Sequence, residues 1–133
     1  MANTMAVGSF DVSLTPMADD GPIGRMSLDK TFHGDLQGTS QGQMLAYRSG
    51  IDGSAGYVAM ERVSARLAGR EGDFTLQHNG LMDRGAQSLS VVVVPDSATG
   101  GLSGLTGTMT ILISPGRHDY EFAYSLPEAV RGD

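Results

Sequence analysis

A glutamate and a histidine lie on the apolar side of two neighbouring β-strands that the sequence predicts. His78 alternates with Phe74 and Leu76 in the stretch FTLQHNG (74–80), and Glu61 has the same inward phase in the preceding strand. A carboxylate and an imidazole held together away from water can serve as acid and base near neutral pH. We therefore predict that Glu61 and His78 are catalytic. We also expect burial to raise the pKa of Glu61 unless a partner stabilises its charge.

The same two residues have a structural interpretation that the sequence leaves open. A buried glutamate is often neutralised by a nearby arginine that only fixes packing, and Arg25 and Arg62 are the candidates. Tyrosines commonly close a barrel end with only the hydroxyl in water. For the functional interpretation, we predict a ligand-binding wall made of aromatic and apolar residues with inward phase. These are Tyr57, Phe74, Leu76, Met109, Tyr120, Phe122 and Tyr124.

Two other patterns that resemble chemical sites are better explained by strand geometry. GTSQG (38–42) matches the G-x-S-x-G elbow of hydrolases, but Ser40 lies within a strand and not on a strand-to-helix turn. We interpret its glycines as bends in a barrel strand. His33, His78 and His118 fall on different strands without the short spacings of a metal site. We expect no metal and no cofactor.

Composition narrows the class of protein and of partner. The 133 residues suffice for one domain, 1–133, and 40 % of them are apolar. The net charge is -6 with nine scattered basic residues, so we expect neither nucleic acid nor a membrane surface as a partner. The chain has no cysteine and no apolar run near the roughly 18 residues of a membrane span, which fits a cytoplasmic protein. The composition is compatible with a homo-oligomer and does not decide between it and a monomer.

Alternation of apolar and polar residues predicts eight β-strands and no helix. Turns that contain glycine separate most of them, and several turns are so short that they can join only antiparallel neighbours. The longest connection, DSATGGLSGLTG (96–107), has room for a short helical turn. The predicted strands are 4–15, 23–34, 36–48, 54–68, 72–83, 86–95, 107–114 and 117–126.

The predicted turns give each hairpin a pairing register. A turn at 70–71 places Val63 opposite His78, and a turn at 84–85 places Val91 opposite His78. Both turns put the same residues on one apolar face across three strands. The candidate acid and base then lie in adjacent strands, two residues apart in register.

Two further hairpins complete the predicted sheet. A turn at 34–35 gives the second hairpin a mixed face that includes Gln41 and Gln43, and it leaves Lys30 unassigned. A turn at 115–116 pairs Met109 with Phe122 on the inward face of the last hairpin.

The apolar face of this sheet must be covered, and no predicted helix is available to cover it. Closing the sheet on itself buries the face and removes the edges. We therefore predict an all-β fold, an eight-stranded antiparallel up-and-down barrel. A barrel of this size holds packed side chains or one small ligand.

Three long segments of the chain resemble a known family. They are GRMSLDKTFHGDLQGTSQGQML (24–45), GSAGYVAMERVSARLAGREGDFTLQHNGLMDRG (53–85) and SLSVVVVPDSATGGLSGLTGTMTI (88–111). The chain is similar along nearly all of its length to the small bacterial proteins called domain of unknown function three-two-two-four (DUF3224). The resemblance implies a barrel of the allene oxide cyclase-like group, which also includes plant dirigent proteins. It implies no particular activity, because the family is named for lacking one.

The sequence favours a small-molecule-binding barrel over other classes. Its ligand would be a small hydrophobic or amphipathic molecule, and the reaction a cofactor-independent cyclisation, isomerisation or addition that needs a shaped cavity and one acid and base. Two alternatives remain. One is a non-catalytic carrier or dirigent-like steering protein, and the other is a filled barrel that acts through its surface as an oligomer.

Overall fold

The computed structural model describes residues 4–17 and 21–127. Within these ranges the chain forms β-strands only, so they contain no helix that could cross a membrane. The strands are β1 (Thr4–Met17), β2 (Gly24–Gly34), β3 (Leu36–Arg48), β4 (Ala55–Leu67), β5 (Arg70–Asp83), β6 (Ala86–Val93), β7 (Thr99–Gly100), β8 (Thr106–Ser114) and β9 (Arg117–Ser125).

Eight of these strands close into an antiparallel barrel, which confirms the predicted fold class. Each strand from β1 to β5 pairs with the next, β6 pairs with β8, and β9 pairs with both β8 and β1. A path along paired residues that leaves β1 at Met5 returns to β1 at Thr15, ten residues further along. This stagger means that the strands tilt steeply around the barrel axis. The short β7 lies outside the closed ring and pairs with the start of β5.

The predicted register between β4 and β5 is wrong by four residues. The turn lies at 68–69, where both residues have positive φ, and not at 70–71. Two positive φ values give the tight hairpin turn whose twist matches that of the flanking strands. His78 therefore lies opposite Ala59 and not opposite Val63. An even shift keeps every side chain on its face of the sheet, so both candidate catalytic residues remain inside.

The predicted register between β2 and β3 is wrong by one residue, which has a larger effect. Asp35 alone links the two strands, and Lys30 lies opposite Ser40. A shift of one residue exchanges the two faces of a strand. Ser40 is consequently buried inside the barrel opposite Lys30, whereas Gln41 and Gln43 lie on its outer face.

Apolar side chains fill one end of the barrel, which we call the closed end. The rings of Phe74 and Phe122 are stacked there with centroids 6.1 Å apart. The chain after β6 folds across this end, and where the sequence allowed a helical turn it forms β7 and hydrogen-bonded turns. The buried apolar residues of the closed end are Ala6, Phe32, Leu36, Leu67, Phe74, Leu102, Leu105 and Phe122.

The opposite end of the barrel is open, and we call it the mouth. Leu14, Leu89 and Ile113 have the inward phase of their strands, yet they are 45 %, 42 % and 70 % exposed. Side chains that point into a barrel and still contact water show that solvent enters this end. The half-buried inward residues below them are Val12, Met26, Met44, Tyr57, Met82, Ile111 and His118.

Candidate functional site

Four polar side chains meet inside the barrel, between the closed end and the mouth. Four adjacent strands contribute one each: Lys30 from β2, Ser40 from β3, Glu61 from β4 and His78 from β5. All four are buried. We call them the Glu61 cluster, because each of the other three contacts the Glu61 carboxylate.

Both oxygens of Glu61 accept hydrogen bonds from the cluster. Oε2 accepts from Lys30 Nζ at 2.8 Å and from His78 Nε2 at 2.6 Å, and Oε1 accepts from Ser40 Oγ at 2.8 Å. The Lys30 ammonium also lies 4.6 Å from the centre of the Phe10 ring, within range of a cation–π interaction. Charge-assisted hydrogen bonds of this length are among the strong ones in proteins. The carboxylate is therefore held in one position and is paired with a positive charge.

The pairing reverses the expected shift in the pKa of Glu61. Burial on its own raises this pKa, as the sequence led us to expect, but the hydrogen bond from His78 and the charge of Lys30 outweigh burial and lower it to about 2. A raised pKa was expected only in the absence of a stabilising partner, and His78 and Lys30 are such partners. Glu61 is ionised at neutral pH, and it cannot donate a proton as a general acid there.

The low pKa makes the stability of the barrel depend on Glu61 in acid. Its stabilising contribution is fully present above the ordinary value of 4.5, and it is lost as the pH falls through about 2. At about 1.4 kcal/mol per pKa unit, we expect a loss of roughly 3 kcal/mol. Urea unfolding across this pH range measures the loss. Glu61→Gln is the control, because its unfolding free energy should fall less steeply. Parallel pH profiles for the two proteins would contradict the lowered pKa.

The hydrogen bond to Glu61 also fixes the tautomer of His78. An ionised carboxylate only accepts hydrogen bonds, so Nε2 carries the proton that it donates to Glu61. In the neutral ring Nδ1 is then an acceptor with a free lone pair. Nδ1 has no protein partner among the described residues, yet no buried side-chain nitrogen or oxygen there lacks a partner. Nδ1 is therefore not fully enclosed by the described residues.

Tyr57 separates His78 from the mouth. Its ring centroid lies 6.3 Å from that of His78. The ring occupies the space that a side chain at position 80 would need, since a Cβ on Gly80 would lie 2.4 Å from it. Burial, and secondly the negative charge of Glu61, raise the pKa of the Tyr57 hydroxyl. Tyr57 is therefore a neutral hydrogen-bonding group beside His78.

The other predicted wall residues lie in the packed core. Phe122 stacks on Phe74 and, at 5.5 Å, on Tyr124. Leu76 lies opposite Glu61 in the sheet, and Met109 lies opposite Phe122. All five side chains are buried and belong to one apolar cluster. Of these five residues, only Leu76 lies opposite a member of the Glu61 cluster in the sheet.

The Tyr120 hydroxyl is engaged with the main chain. It accepts a hydrogen bond from the Leu36 N–H at 2.9 Å and lies 2.9 Å from the His33 carbonyl oxygen, to which it can donate. A Cβ at Gly8 would lie 2.5 Å from this hydroxyl, so the glycine makes room for it. Burial raises the pKa of Tyr120 first, and the charge of Asp35 adds to this. These contacts tie β9 to the link between β2 and β3.

Lys30 and Ser40 are members of the cluster that the sequence interpretation missed. One signal was present: Lys30 alternates with the apolar residues Leu28 and Phe32 in β2. The structural interpretation named Arg25 and Arg62 as the residues that neutralise Glu61, and these were the wrong partners. Arg62 instead donates to the Ser97 carbonyl oxygen at 2.7 Å and to Thr75, on the outside of the barrel. Glu61 is neutralised as that alternative supposed, but by a lysine from inside.

A second feature lies on the outer face of β3 to β5. Exposed apolar side chains form a shallow depression of about 750 Å³ there, which continues into one of about 820 Å³ beside Tyr57. Glu61 and His78 contribute only backbone to the floor of the first depression, because their side chains point into the barrel. The large apolar residues of this outer face are Leu45, Tyr47, Val58, Met60 and Leu81. Residues 4–17 and 21–127 contain no group of three or more His, Asp or Glu side chains that could hold a metal ion.

Comparison with known proteins places this architecture in a family. No curated protein matches the chain. The crystal structure of a protein with unknown function from the DUF3224 family of Shewanella oneidensis MR-1 is 47 % identical, with a TM-score of 0.91, and the match covers 96 % of this chain and 99 % of that one. The family described as Protein of unknown function (DUF3224) matches residues 2–124. This protein therefore belongs to the DUF3224 family.

Proposed function

We propose that the barrel binds a small apolar or partly polar molecule at its mouth and that His78 exchanges a proton with it. The observation that carries this proposal is the orientation of His78. Its Nε2 donates to an ionised, buried carboxylate at 2.6 Å, and its Nδ1 has no protein partner among the described residues. A carboxylate that fixes one imidazole nitrogen makes the other nitrogen a general base.

The proposed step moves one proton and no other atom. A ligand O–H or acidic C–H bond breaks, its proton goes to His78 Nδ1, and the electron pair stays on the ligand. The Glu61 carboxylate stabilises the imidazolium that forms. His78 then returns the proton to another atom of the same ligand, which yields an isomer. The step uses no electron acceptor and no cofactor.

The roles predicted for Glu61 and His78 change accordingly. Glu61 is a positioning residue, His78 is the base, and Lys30 keeps Glu61 ionised. Tyr57 forms the ligand wall beside His78, while the buried aromatic residues of the closed end support the wall from below. The allene oxide cyclase-like assignment implied by the resemblance is compatible with this chemistry, and it remains part of the proposal. A carrier or steering protein would use the same mouth without proton transfer.

One observation favours a second candidate function, association through the surface. The outer face of β3 to β5 exposes Leu45, Tyr47, Val58 and Leu81 side by side. Contiguous exposed apolar side chains often mark interaction sites. In that case the Glu61 cluster would serve stability alone, and no ligand would enter the mouth.

Binding of the neutral apolar fluorophore 1-aminoanthracene tests the proposal. Two exposed leucines offer a matched pair of variants: Leu89 is inside the mouth at 42 % exposure, and Leu112 is outside the barrel at 47 %. We expect Leu89→Arg to weaken binding at least about tenfold, because a charge in the apolar mouth must lose its hydration. Leu112→Arg should bind like the wild type. No binding to the wild type, or equal weakening by both variants, would show that the mouth is not a ligand site.

A further inference from the structure

We propose that the mouth selects an uncharged, flexible and mainly apolar ligand that carries one hydrogen-bond donor, and that His78 Nδ1 accepts this hydrogen bond. This inference rests on the proposed function and specifies its ligand class. Three properties of the mouth support it: the lack of charged side chains in its wall below Arg48, the internal pairing of the charges beneath the wall, and the unpartnered Nδ1 of His78.

Arg48 has inward phase at the exposed end of β3, and below it the described residues of the mouth wall include no ionised carboxylate, lysine or arginine. The polar groups of the wall are the amide of Gln87, the hydroxyl of Tyr57 and the imidazole of His118, whose ring lies 5.1 Å from that of Phe10. An ionised ligand group would leave water here without an opposite charge to receive it, which is costly. The wall therefore disfavours a carboxylate, a phosphate or an ammonium group on the ligand.

The charges below the wall are already paired. The Lys30 ammonium is bound to the Glu61 carboxylate and packed near Phe10, and both Glu61 oxygens have donors. A ligand anion could recruit Lys30 only by displacing Glu61, which would leave a carboxylate buried and unpaired. The cluster consequently offers a ligand no net charge when His78 is neutral.

His78 Nδ1 is a side-chain acceptor of the buried Glu61 cluster that has no protein partner among the described residues. The ring is 3 % exposed, so a ligand atom that reaches it enters a site from which water is largely excluded. The lone pair of His78 Nδ1 accepts a hydrogen bond from a ligand donor such as a hydroxyl or an enol. The methionines of the mouth, Met26, Met44 and Met82, are half-buried, and their unbranched side chains adapt to ligands of different shape.

Four probes with the same eight-carbon chain separate the ligand classes. They are octan-1-ol, 1-methoxyoctane, octanoate and octylamine, each used to displace 1-aminoanthracene at about pH 8, where free imidazole is neutral. We expect octan-1-ol to bind roughly fivefold more tightly than 1-methoxyoctane, which lacks the donor. We expect both charged probes to bind at least about tenfold more weakly than octan-1-ol.

A pair of neighbouring variants assigns the donor contact to His78. In His78→Leu, octan-1-ol should bind only as well as 1-methoxyoctane does, whereas Gln77→Leu, which faces outward on the same strand, should leave all four affinities unchanged. If His78→Leu does not fold, the comparison of the two neutral probes on the wild type still decides the matter. Tightest binding of octanoate or octylamine, or equal binding of alcohol and ether, would overturn the ligand class while leaving the mouth a binding site. If none of the probes displaces the fluorophore, the proposed function fails as well.

Discussion

Replacing Lys30 by methionine should lower the unfolding free energy of the barrel by about 3–5 kcal/mol. The ammonium bound to Glu61 is buried, and methionine fills a similar volume without the charge. Glu61 would then remain buried with only His78 and Ser40 as hydrogen-bond donors. Urea unfolding at neutral pH measures the loss, which should be smaller at pH values low enough to protonate Glu61 in the variant.

An exposed ion pair in the same barrel gives the control for this prediction. Arg66 contacts Glu71 across the hairpin of β4 and β5, and both side chains are largely exposed. Arg66→Met should cost less than about 1 kcal/mol, because exposed pairs contribute little. Adding Glu61→Leu to Lys30→Met should recover part of the loss by removing the unpaired carboxylate. If Lys30→Met costs no more than Arg66→Met, the buried charges are not coupled as the structure indicates.

Replacing Phe122 by alanine should also cost about 3–5 kcal/mol. Phe122 is fully buried at the closed end and stacks on both Phe74 and Tyr124. Its removal leaves a cavity in a part of the barrel where neighbouring strands prevent collapse. The loss is measured by urea unfolding, and the slope of the transition should remain unchanged.

The corresponding substitution at the mouth should have only a small effect on the unfolding free energy. Ile113 also has inward phase but is 70 % exposed, so we expect Ile113→Ala to cost less than about 1 kcal/mol. The contrast between Phe122 and Ile113 tests the division of the barrel into a closed end and a mouth. Similar losses from the two substitutions would mean that both ends are packed to the same degree.

The strand pattern of this barrel could be predicted from sequence because alternation and turn residues agree along most of the chain. The turns at 84–85 and 115–116 are confirmed, with His78 opposite Val91 as predicted. The turn at 68–69 was missed because the prediction placed the turn at the polar pair 70–71, although Gly69 has the residue type that a tight hairpin favours. Closure depends on pairing between β1 and β9, and the up-and-down order made that pairing predictable.

The site was harder to predict than the fold, since its chemistry depends on which strands lie next to each other. Alternation alone placed Glu61 and His78 inside. Ser40 depended on the one-residue link at Asp35, because an error of one residue moves a whole face of β3 from inside to outside, whereas Lys30 alternates with Leu28 and Phe32 in either register. The direction of the Glu61 pKa shift could not be predicted while Lys30 was unplaced, because burial raises this pKa and pairing lowers it.

The position of the proton on His78 tests the central claim most directly. Long-range ¹H–¹⁵N correlation spectra of protein with ¹⁵N-labelled histidine report which ring nitrogen is protonated. In the neutral ring we predict a proton on Nε2, bound to Glu61, and none on Nδ1, whose resonance should shift when octan-1-ol is added. A proton on Nδ1 in the free protein, or a His78 resonance that does not change while the alcohol is bound, would contradict the account.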